Sequence, residues 1–376
     1  MALRIAVDAR LYDYQQAGIA TYTRALLGEM PALAPDVEFV VLRSRRARGR
    51  LAVAPNLTER RLLTPPHHRW EQVSLPAETA VIGPHLVHSP DFVPCFRRAW
   101  RAVVTVHDLA FLKFPEVMTP ESHRYYGQVG RGCRSADLVV VVSNNTARDV
   151  VELLQVPAEK IRVIYEAANP LYHPLQDDRA MAALRARHGV RPGYLLFVST
   201  IEPRKNLATV LQALARLHRA GAERLRGLQL VVVGRPGWLY ESTFRLVADL
   251  GLDGCVRFLG GATPEDLLLL YNGAAALVYP SLYEGFGLPP LEAMACGTPV
   301  LCADVASLPE VVGDAGSLLP PQAVEDWAAA IARVIQDEGL RLTLSQRGLA
   351  RARQFSWRRA AQQTLAVYRE ALGQAR

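Results

Sequence analysis

The sequence predicts an α/β protein of two doubly wound domains, and three observations carry that prediction. Short β-branched runs alternate with helical stretches along nearly the whole chain. A polar, proline-containing segment interrupts the alternation near the middle. The length of 376 residues matches two domains at roughly 150 residues each, both large enough to bury a core.

In the first half the runs Arg4 to Val7, Glu38 to Leu42, Leu86 to Ser89, Ala102 to Val106, Leu138 to Ser143 and Ile161 to Ile164 are apolar rather than alternating. Strands of a parallel sheet covered on both faces read this way. Helical stretches fall between them at Ile19 to Met30, Ser122 to Ser135 and Asn145 to Leu154. The segment 167–178, AANPLYHPLQDD, reads as the linker, which gives a first domain of 1–175 and a second of 176–355. Strands resume at Tyr194 to Ser199, Leu230 to Val233, Val256 to Leu259, Ala276 to Tyr279, Val300 to Leu301 and Gly316 to Leu318, with helices such as Leu207 to Ala220 between them. The halves share an architecture without a sequence repeat. At the end, Ser356 is placed to cap a closing helix from Arg358 to Leu372. Two such domains are expected to leave a cleft at the carboxyl ends of their strands, where open α/β sheets bind ligands.

With 43 Lys plus Arg against 36 Asp plus Glu, a net charge of +7 and half its residues hydrophobic, the chain is neither a fibre, a disordered segment nor a disulfide miniprotein. No apolar run approaches the ~20 residues of a spanning helix, and the start runs directly into a strand pattern without a leader, so a cytoplasmic protein is expected. The five cysteines, at 95, 133, 255, 296 and 302, have no CxxC spacing and read as buried small hydrophobes. Only three of the basic residues are lysine, at 113, 160 and 205. Arginines cluster in the first half, at Arg43, Arg45, Arg46, Arg48 and Arg50, then at Arg97, Arg98 and Arg101. Such clusters suit an anionic membrane surface, whereas nucleic acid is not expected without an aromatic-interleaved basic motif.

Chemistry concentrates in two strand-to-helix junctions. After Ala276 to Tyr279 comes Glu284-Gly285-Phe286-Gly287-Leu288-Pro289-Pro290-Leu291-Glu292 and, further on, Gly297. Pro289 and Pro290 suit a first helical turn and Gly297 the residue that ends the helix. The helix start offers backbone N–H groups to an oxygen-rich ligand, and the two carboxylates beside it suit the hydroxyls of a sugar or ribose. After Tyr194 to Ser199 comes Thr200-Ile201-Glu202-Pro203-Arg204-Lys205-Asn206, whose adjacent cations fit a diphosphate. In the first half His107 and Asp108 follow the strand Ala102 to Val106. No acidic pair sits at a strand end as a metal ligand, since Asp177-Asp178 falls in the linker.

Glu284 and Glu292, spaced Glu, seven residues, Glu within EGFGLPPLEAMACGTPV, resemble the signature of the retaining GT-B glycosyltransferases of glycosyltransferase family 4. The resemblance runs from Val7-Asp8-Ala9-Arg10 and Gly18-Ile19 to Phe355-Ser356-Trp357. It implies the GT-B fold, two Rossmann-like domains facing a central cleft, with 356–376 as a helix packing back on the N-terminal domain. It implies catalytic roles for His107, Glu284 and Lys205. Glu292 would bind the ribose of a nucleotide sugar and Glu284 the transferred sugar. Arg204 and Lys205 would clamp the diphosphate, Phe286, Gly287 and Leu288 would offer amides, and His107 would contact the transferred sugar. Gly18, Ser199, Gly234, Phe258 and Leu259 complete the donor site, Gly18 by letting the backbone approach the phosphates. Where many relatives place a Gly-Arg pair, this chain has Val198-Ser199.

The reaction implied is transfer of a hexose from a GDP-, UDP- or ADP-sugar to a glycan or lipid-linked acceptor, without metal or other cofactor. The wording around His107 to Phe111 and Phe114-Pro115-Glu116 resembles mannosyltransferases of polysaccharide assembly, which favours GDP-mannose. A non-catalytic nucleotide-sugar-binding subunit of the same fold and a nucleotide-sugar epimerase are the alternatives. A nicotinamide dehydrogenase ranks last, because no GxGxxG follows either first strand.

Overall fold

The computed structural model describes residues 3–14, 18–115, 125–221, 225 and 227–374. Glu116, and residues 122–124 of the helix read from Ser122 to Ser135, lie outside the described residues. The chain divides into two compact units, Met1–Glu166 with Ser356–Arg376, and Ala167–Phe355.

In the first unit the strands are β1 (Leu3–Asp8), β2 (Val37–Ser44), β3 (Leu57–Leu62), β4 (Leu86–Ser89), β5 (Arg101–Val106), β6 (Leu138–Val141) and β7 (Ile161–Val163). They form one parallel sheet in the order β3-β2-β1-β4-β5-β6-β7. The order reverses at β1 and β4, where Val7 pairs with both Val41 and His88. Helices α1 (Gly18–Leu33), α2 (Glu71–Ile82), α3 (Ala110–Lys113), α4 (Val129–Ser135) and α5 (Asn144–Leu154) connect the strands. The valines of β5 and β6 are fully buried between core clusters, as apolar runs in a covered parallel sheet must be. Ser143 caps α5 by accepting from the Thr146 N–H.

The second unit repeats the architecture with β8 (Leu195–Val198), β9 (Leu230–Val233), β10 (Val256–Gly260), β11 (Ala276–Tyr279), β12 (Val300–Ala303) and β13 (Ser317–Leu319) in the order β10-β9-β8-β11-β12-β13. Its helices are α6 (Asp178–His188), α7 (Leu207–Ala220), α8 (Glu241–Asp249), α9 (Pro264–Gly273), α10 (Leu288–Ala295), α11 (Leu308–Val312), α12 (Val324–Gln336) and α13 (Glu338–Ala352). The last helix, α14 (Trp357–Ala371), begins at Ser356, which accepts from the Arg359 N–H, and it packs on α1 within the first unit.

The units divide at Glu166–Ala167, ahead of the 175/176 boundary read from sequence. The reason is that the presumed linker packs on the second unit. Asn272 accepts from the Leu175 N–H at 2.8 Å and donates to the His173 carbonyl at 3.1 Å, and Tyr172 meets Tyr271 edge-on at 5.5 Å. Asp177 is the cap of α6, accepting from the Ala180 N–H. All five cysteines are free, four of them buried and Cys255 half-buried. Among the described residues no helix is long and apolar enough to cross a membrane.

The arginine clusters are only partly on the surface. Arg43 is buried against Asp13 at 2.6 Å and Glu59 at 3.0 Å, and Arg98 donates to the carbonyls of Cys95 and Ser135. Both leave the basic surface expected from sequence, because a buried guanidinium needs its donors satisfied within the fold. Arg45, Arg46, Arg48, Arg50 and Arg97 remain exposed, and Arg101 pairs with Asp137 at 2.8 Å.

Candidate active site

In the second unit β8 and β11 are neighbours in the sheet, so the loops that leave their carboxyl ends run side by side. That adjacency brings Lys205 to Glu284 across 79 residues of sequence, with Nζ donating to Oε1 at 2.6 Å. Tyr279, the last residue of β11, donates its hydroxyl to the same Oε1 at 2.7 Å. Arg204 lies 3.9 Å from Glu284 Oε2, donates to the Tyr283 carbonyl at 2.9 Å, and forms its closest ion pair with Glu202 at 2.7 Å. The Leu282 N–H donates back to the Arg204 carbonyl at 2.9 Å. Burial pushes the Glu284 carboxyl up, but the Lys205 and Arg204 charges and the two hydrogen bonds outweigh it and hold it below the usual carboxylate range. Glu284 is therefore a carboxylate, available as an acceptor for hydroxyls.

The turn between Glu284 and α10 is fixed from two sides. The Ser307 hydroxyl lies within bonding distance of the carbonyls of Glu284, at 2.9 Å, and of Phe286, at 2.8 Å. Gly287 adopts φ +110°, and a Cβ there would lie 2.8 Å from Leu308 Cδ2, so only glycine fits the turn. The first residues of α10 have no acceptor four positions back, so the N–H groups at the helix start have no partner within the helix. Phe286 is buried edge-on against Phe355. One turn into α10, Glu292 accepts from the Tyr271 hydroxyl at 2.9 Å, and burial raises its carboxyl to about 7 despite that bond.

The loops after β8 and β9 are also joined. The Ser199 N–H donates to the Val233 carbonyl, and the Ile201 N–H to the Arg235 carbonyl, each at 3.0 Å. A Cβ on Gly234 would sit 1.7 Å from the Ser199 carbonyl oxygen, so this glycine is required by close backbone approach. Asn206, at φ +54°, turns the chain into α7 while donating to the Pro280 and Pro321 carbonyls. Phe258 stacks on Phe244 at 4.3 Å, and Leu259 follows it at the end of β10.

The first unit places His107 just past β5. Its Nδ1 is 3.0 Å from Glu166 Oε1 and its Nε2 is 3.1 Å from the Pro90 carbonyl, with Tyr22 edge-on at 4.8 Å. Burial disfavours the charged ring, yet the Glu166 bond and the carboxylates of Glu166, Asp108 and Asp91 raise its pKa overall. With an acceptor at each nitrogen, His107 is suited to the imidazolium form. A methyl group on Gly18, at the start of α1, would meet no atom of the described residues within 4 Å.

The structure thus gathers Arg204, Lys205, Glu284, Phe286, Gly287, Leu288 and Glu292 at one end of the second sheet, with Ser199, Gly234, Phe258 and Leu259 on the strands beside them. Sequence reasoning missed Glu202, Tyr271, Tyr279, Ser307 and Glu166. Tyr279 carried a signal as the residue ending the strand before Glu284, and Glu202 as a carboxylate two residues before Arg204.

Residues 17–170 match the family model Glycosyltransferase Family 4, and residues 183–351 match Glycosyl transferases group 1. The chain is 38% identical over 287 residues to the O-antigen chain mannosyltransferase B of Escherichia coli, covering 76% of this chain and 74% of that protein. It is 34% identical over 282 residues to a D-inositol 3-phosphate glycosyltransferase of Saccharomonospora viridis, covering 72% and 64%. Among solved structures, sucrose-phosphate synthase from Thermosynechococcus elongatus superposes with a TM-score of 0.79 at 24% identity over 99% of both chains. Anabaena Alr3699/HepE in complex with UDP-glucose superposes with a TM-score of 0.73 at 19% identity, over 98% of this chain and 100% of the other. These two likenesses establish a shared fold.

Proposed function

The chain belongs to glycosyltransferase family 4, a family of sugar-transferring enzymes with the GT-B fold, and from that premise we propose that it transfers mannose from GDP-mannose to an acceptor hydroxyl with retention of configuration and without a metal ion. The observation that carries the reading is the Lys205–Glu284 pair beside the start of α10. It sets a cation for phosphate and an ionised acceptor for sugar hydroxyls next to the amides of a helix start.

In this reading the bond from the anomeric carbon to the donor's diphosphate oxygen breaks, and the bond from that carbon to the acceptor oxygen forms on the same face. The acceptor proton passes to the departing phosphate oxygen. Lys205 and Arg204 offset the charge that develops on the diphosphate, the part a divalent ion plays in other transferases. An ammonium has three donors, so the one spent on Glu284 leaves others for phosphate oxygens. Glu292 takes the ribose hydroxyls, Glu284 those of the transferred sugar, and His107 keeps the catalytic role stated above. The likeness to O-antigen chain mannosyltransferase B supports mannose as the sugar and polysaccharide or lipid-linked glycan synthesis as the setting.

The test is to incubate the protein with GDP-mannose, UDP-glucose and ADP-glucose plus a mannoside acceptor, with and without EDTA, and to assign the new linkage by NMR. Turnover of GDP-mannose to an α-linked product, unchanged by EDTA, is expected. A β-linked product or full loss of rate in EDTA would overturn the mechanism, and turnover of UDP-glucose alone would overturn the donor.

The exposed Arg45, Arg46, Arg48 and Arg50 support contact with an anionic membrane surface. Each cation near such a surface contributes about 1 kcal/mol. Replacing Arg45 and Arg46 with glutamine is therefore expected to weaken binding to phosphatidylglycerol vesicles by about 30-fold, with little binding to phosphatidylcholine alone. Equal sedimentation of wild type and variant with the anionic vesicles would remove the membrane from the reading.

A further inference from the structure

Two histidines of the first unit have partners that differ in kind. His88 lies on β4, and His107 lies just past the neighbouring strand β5. At His88 both partners are hydroxyls, that of Tyr368 at 2.7 Å from Nδ1 and that of Thr105 at 2.8 Å from Nε2. A hydroxyl can donate or accept, so a neutral ring is satisfied there. Burial and the charge on His107 push the His88 pKa down to about 3.

At His107 both partners are acceptors. Nδ1 faces the Glu166 carboxylate at 3.0 Å and Nε2 faces the Pro90 carbonyl at 3.1 Å. A neutral imidazole has a single N–H and would turn a lone pair on one of these oxygens, so two acceptors call for two ring hydrogens. The groups around the ring act in the same sense. Asp108, next in the chain, and Asp91, in the loop after β4, favour the charged ring. Tyr22 of α1 meets it edge-on at 4.8 Å, and burial pushes that phenol up, so it adds no charge. His88 on β4 is neutral. Among the described residues Glu166 has one ion pair, and it is with His107.

The two bonds of His107 are unequal. The one to Glu166 is charge-assisted at both ends and is the stronger, whereas the one to Pro90 ends on a neutral carbonyl. The first fixes the ring, and the second is the N–H that a ligand oxygen can share. The His107 side chain keeps 15% of its surface exposed and that of Glu166 only 6%, so a ligand reaches the ring and not the carboxylate behind it.

We propose that Glu166 is a positioning residue for His107, anchoring the ring through Nδ1 and keeping a hydrogen on both nitrogens, so that the transferred sugar meets Nε2 as a donor. This deepens the glycosyl-transfer reading and rests on it, since that reading gives His107 its contact with the transferred sugar. The sign of the pH effect follows. The His107 pKa is raised, so the doubly protonated ring is present below that value and is lost as pH rises through it. On deprotonation the carboxylate retains the Nδ1 hydrogen, and Nε2 is the nitrogen left bare. The donor form therefore sets a basic limb in the kcat profile, and removing the Glu166 charge moves that limb to lower pH.

Long-range proton–nitrogen NMR spectra of the full chain, labelled with nitrogen-15 at histidine, read the ring hydrogens directly, and His107→Gln and His88→Gln assign the two signals. At pH 7.5 His107 is expected with both nitrogens protonated and His88 with one. Glu166→Gln keeps an oxygen at Nδ1 and removes the charge. Its His107 ring is expected to be mostly neutral at pH 7.5, because a histidine at the ordinary value of about 6.5 is only about one-tenth charged there. Its kcat with GDP-mannose is expected to fall by about tenfold at pH 7.5 and by less at pH 6, with GDP affinity kept. Glu166→Asp, which retains the charge on a shorter arm, should keep the ring charged. In a His107→Gln background Glu166→Gln should cost no further rate, since the two act as one unit. A neutral His107 in the wild type, a basic limb that stays in place in Glu166→Gln, or the full loss repeated in the His107→Gln background would each overturn the proposal. If the wild type transfers sugar from no nucleotide donor, the glycosyl-transfer reading fails instead, and the spectra alone judge the pair: a His107 ring still charged in Glu166→Gln at pH 7.5 overturns it, and a ring that has become neutral supports it.

Discussion

Replacing Lys205 with methionine is expected to lower kcat by on the order of 10³-fold, the scale for removing one preorganised group that stabilises transition-state charge, while the donor KM rises far less. Two losses combine. The departing diphosphate loses the cation nearest Glu284, and Glu284 loses the partner 2.6 Å away that offsets its burial. The sign of the pH effect follows. In the wild type Glu284 titrates below the usual carboxylate range, so a step needing its ionised form persists as pH falls through that range. Without Lys205 the burial contribution is no longer outweighed to the same degree, the carboxyl titrates higher, and the acid limb of the kcat profile moves to higher pH. Breaking one half of a buried pair also costs about 3 kcal/mol of stability. The double variant Lys205→Met/Glu284→Gln separates the effects, since it restores stability and leaves the rate low. Rate profiles from pH 4.5 to 8.5, with thermal midpoints for each variant, check this. A kcat near wild type, or an acid limb that stays in place, would remove Lys205 from the catalytic role.

Most of the fold was legible because parallel strands buried on both faces announce themselves as apolar runs. Leu230 to Val233 and Ala276 to Tyr279 are strands at the positions read from sequence. What escaped was β3 and α2. The sequence of β3, LTERRL, is polar because it is an edge strand paired only to β2 and largely exposed. Helix α2 has no side-chain cap and carries Pro76 in its interior, so both usual signals of a helix are missing. The units divide at the start of AANPLYHPLQDD rather than at its middle: the segment has a loop's composition, and nothing local says that Leu175 and His173 are held by Asn272.

The candidate site divides along the same line between local and non-local information. Arg204, Lys205, Glu284 and Glu292 stand in short strand-loop-helix junctions whose glycines, prolines and charges lie within a few residues of one another. Their partners depend on strand order. That Lys205 meets Glu284 follows only once β8 and β11 are known to be neighbours. The Glu202 carboxylate on Arg204 lies two residues away, yet which of two nearby carboxylates an arginine prefers is decided by the fold. Tyr271 reaches Glu292 from α9, and Glu166 reaches His107 from the loop after β7, 59 residues on. The arginine clusters misled in the same way, since Arg43 and Arg98 are spent inside the fold.

Nucleotide affinity is expected to rise with pH through neutrality, by about 10²-fold between pH 5 and 7.5, because of Glu292. Burial raises its carboxyl to about 7 in the free protein, whereas accepting ribose hydroxyls requires the carboxylate. Below pH 7 the group is mostly protonated, so binding must first release that proton, at a cost of up to tenfold in affinity per pH unit. Above pH 7 the carboxylate is already present and affinity levels off. The bound hydroxyls stabilise the charged form, so the nucleotide lowers this pKa and binding at pH 6 releases close to one proton. Glu292→Gln offers the ribose an amide oxygen at every pH and is expected to bind the nucleotide more weakly at pH 7.5 with a flat profile. Calorimetric titration with GDP, repeated in buffers of different ionisation enthalpy, measures affinity and released protons together. If the wild type binds with the same affinity at pH 5.5 and 7.5 and releases no proton, Glu292 does not hold the ribose. If the slope is present but survives in Glu292→Gln, it belongs to another group, and the assignment of α10 to the nucleotide has to be redrawn.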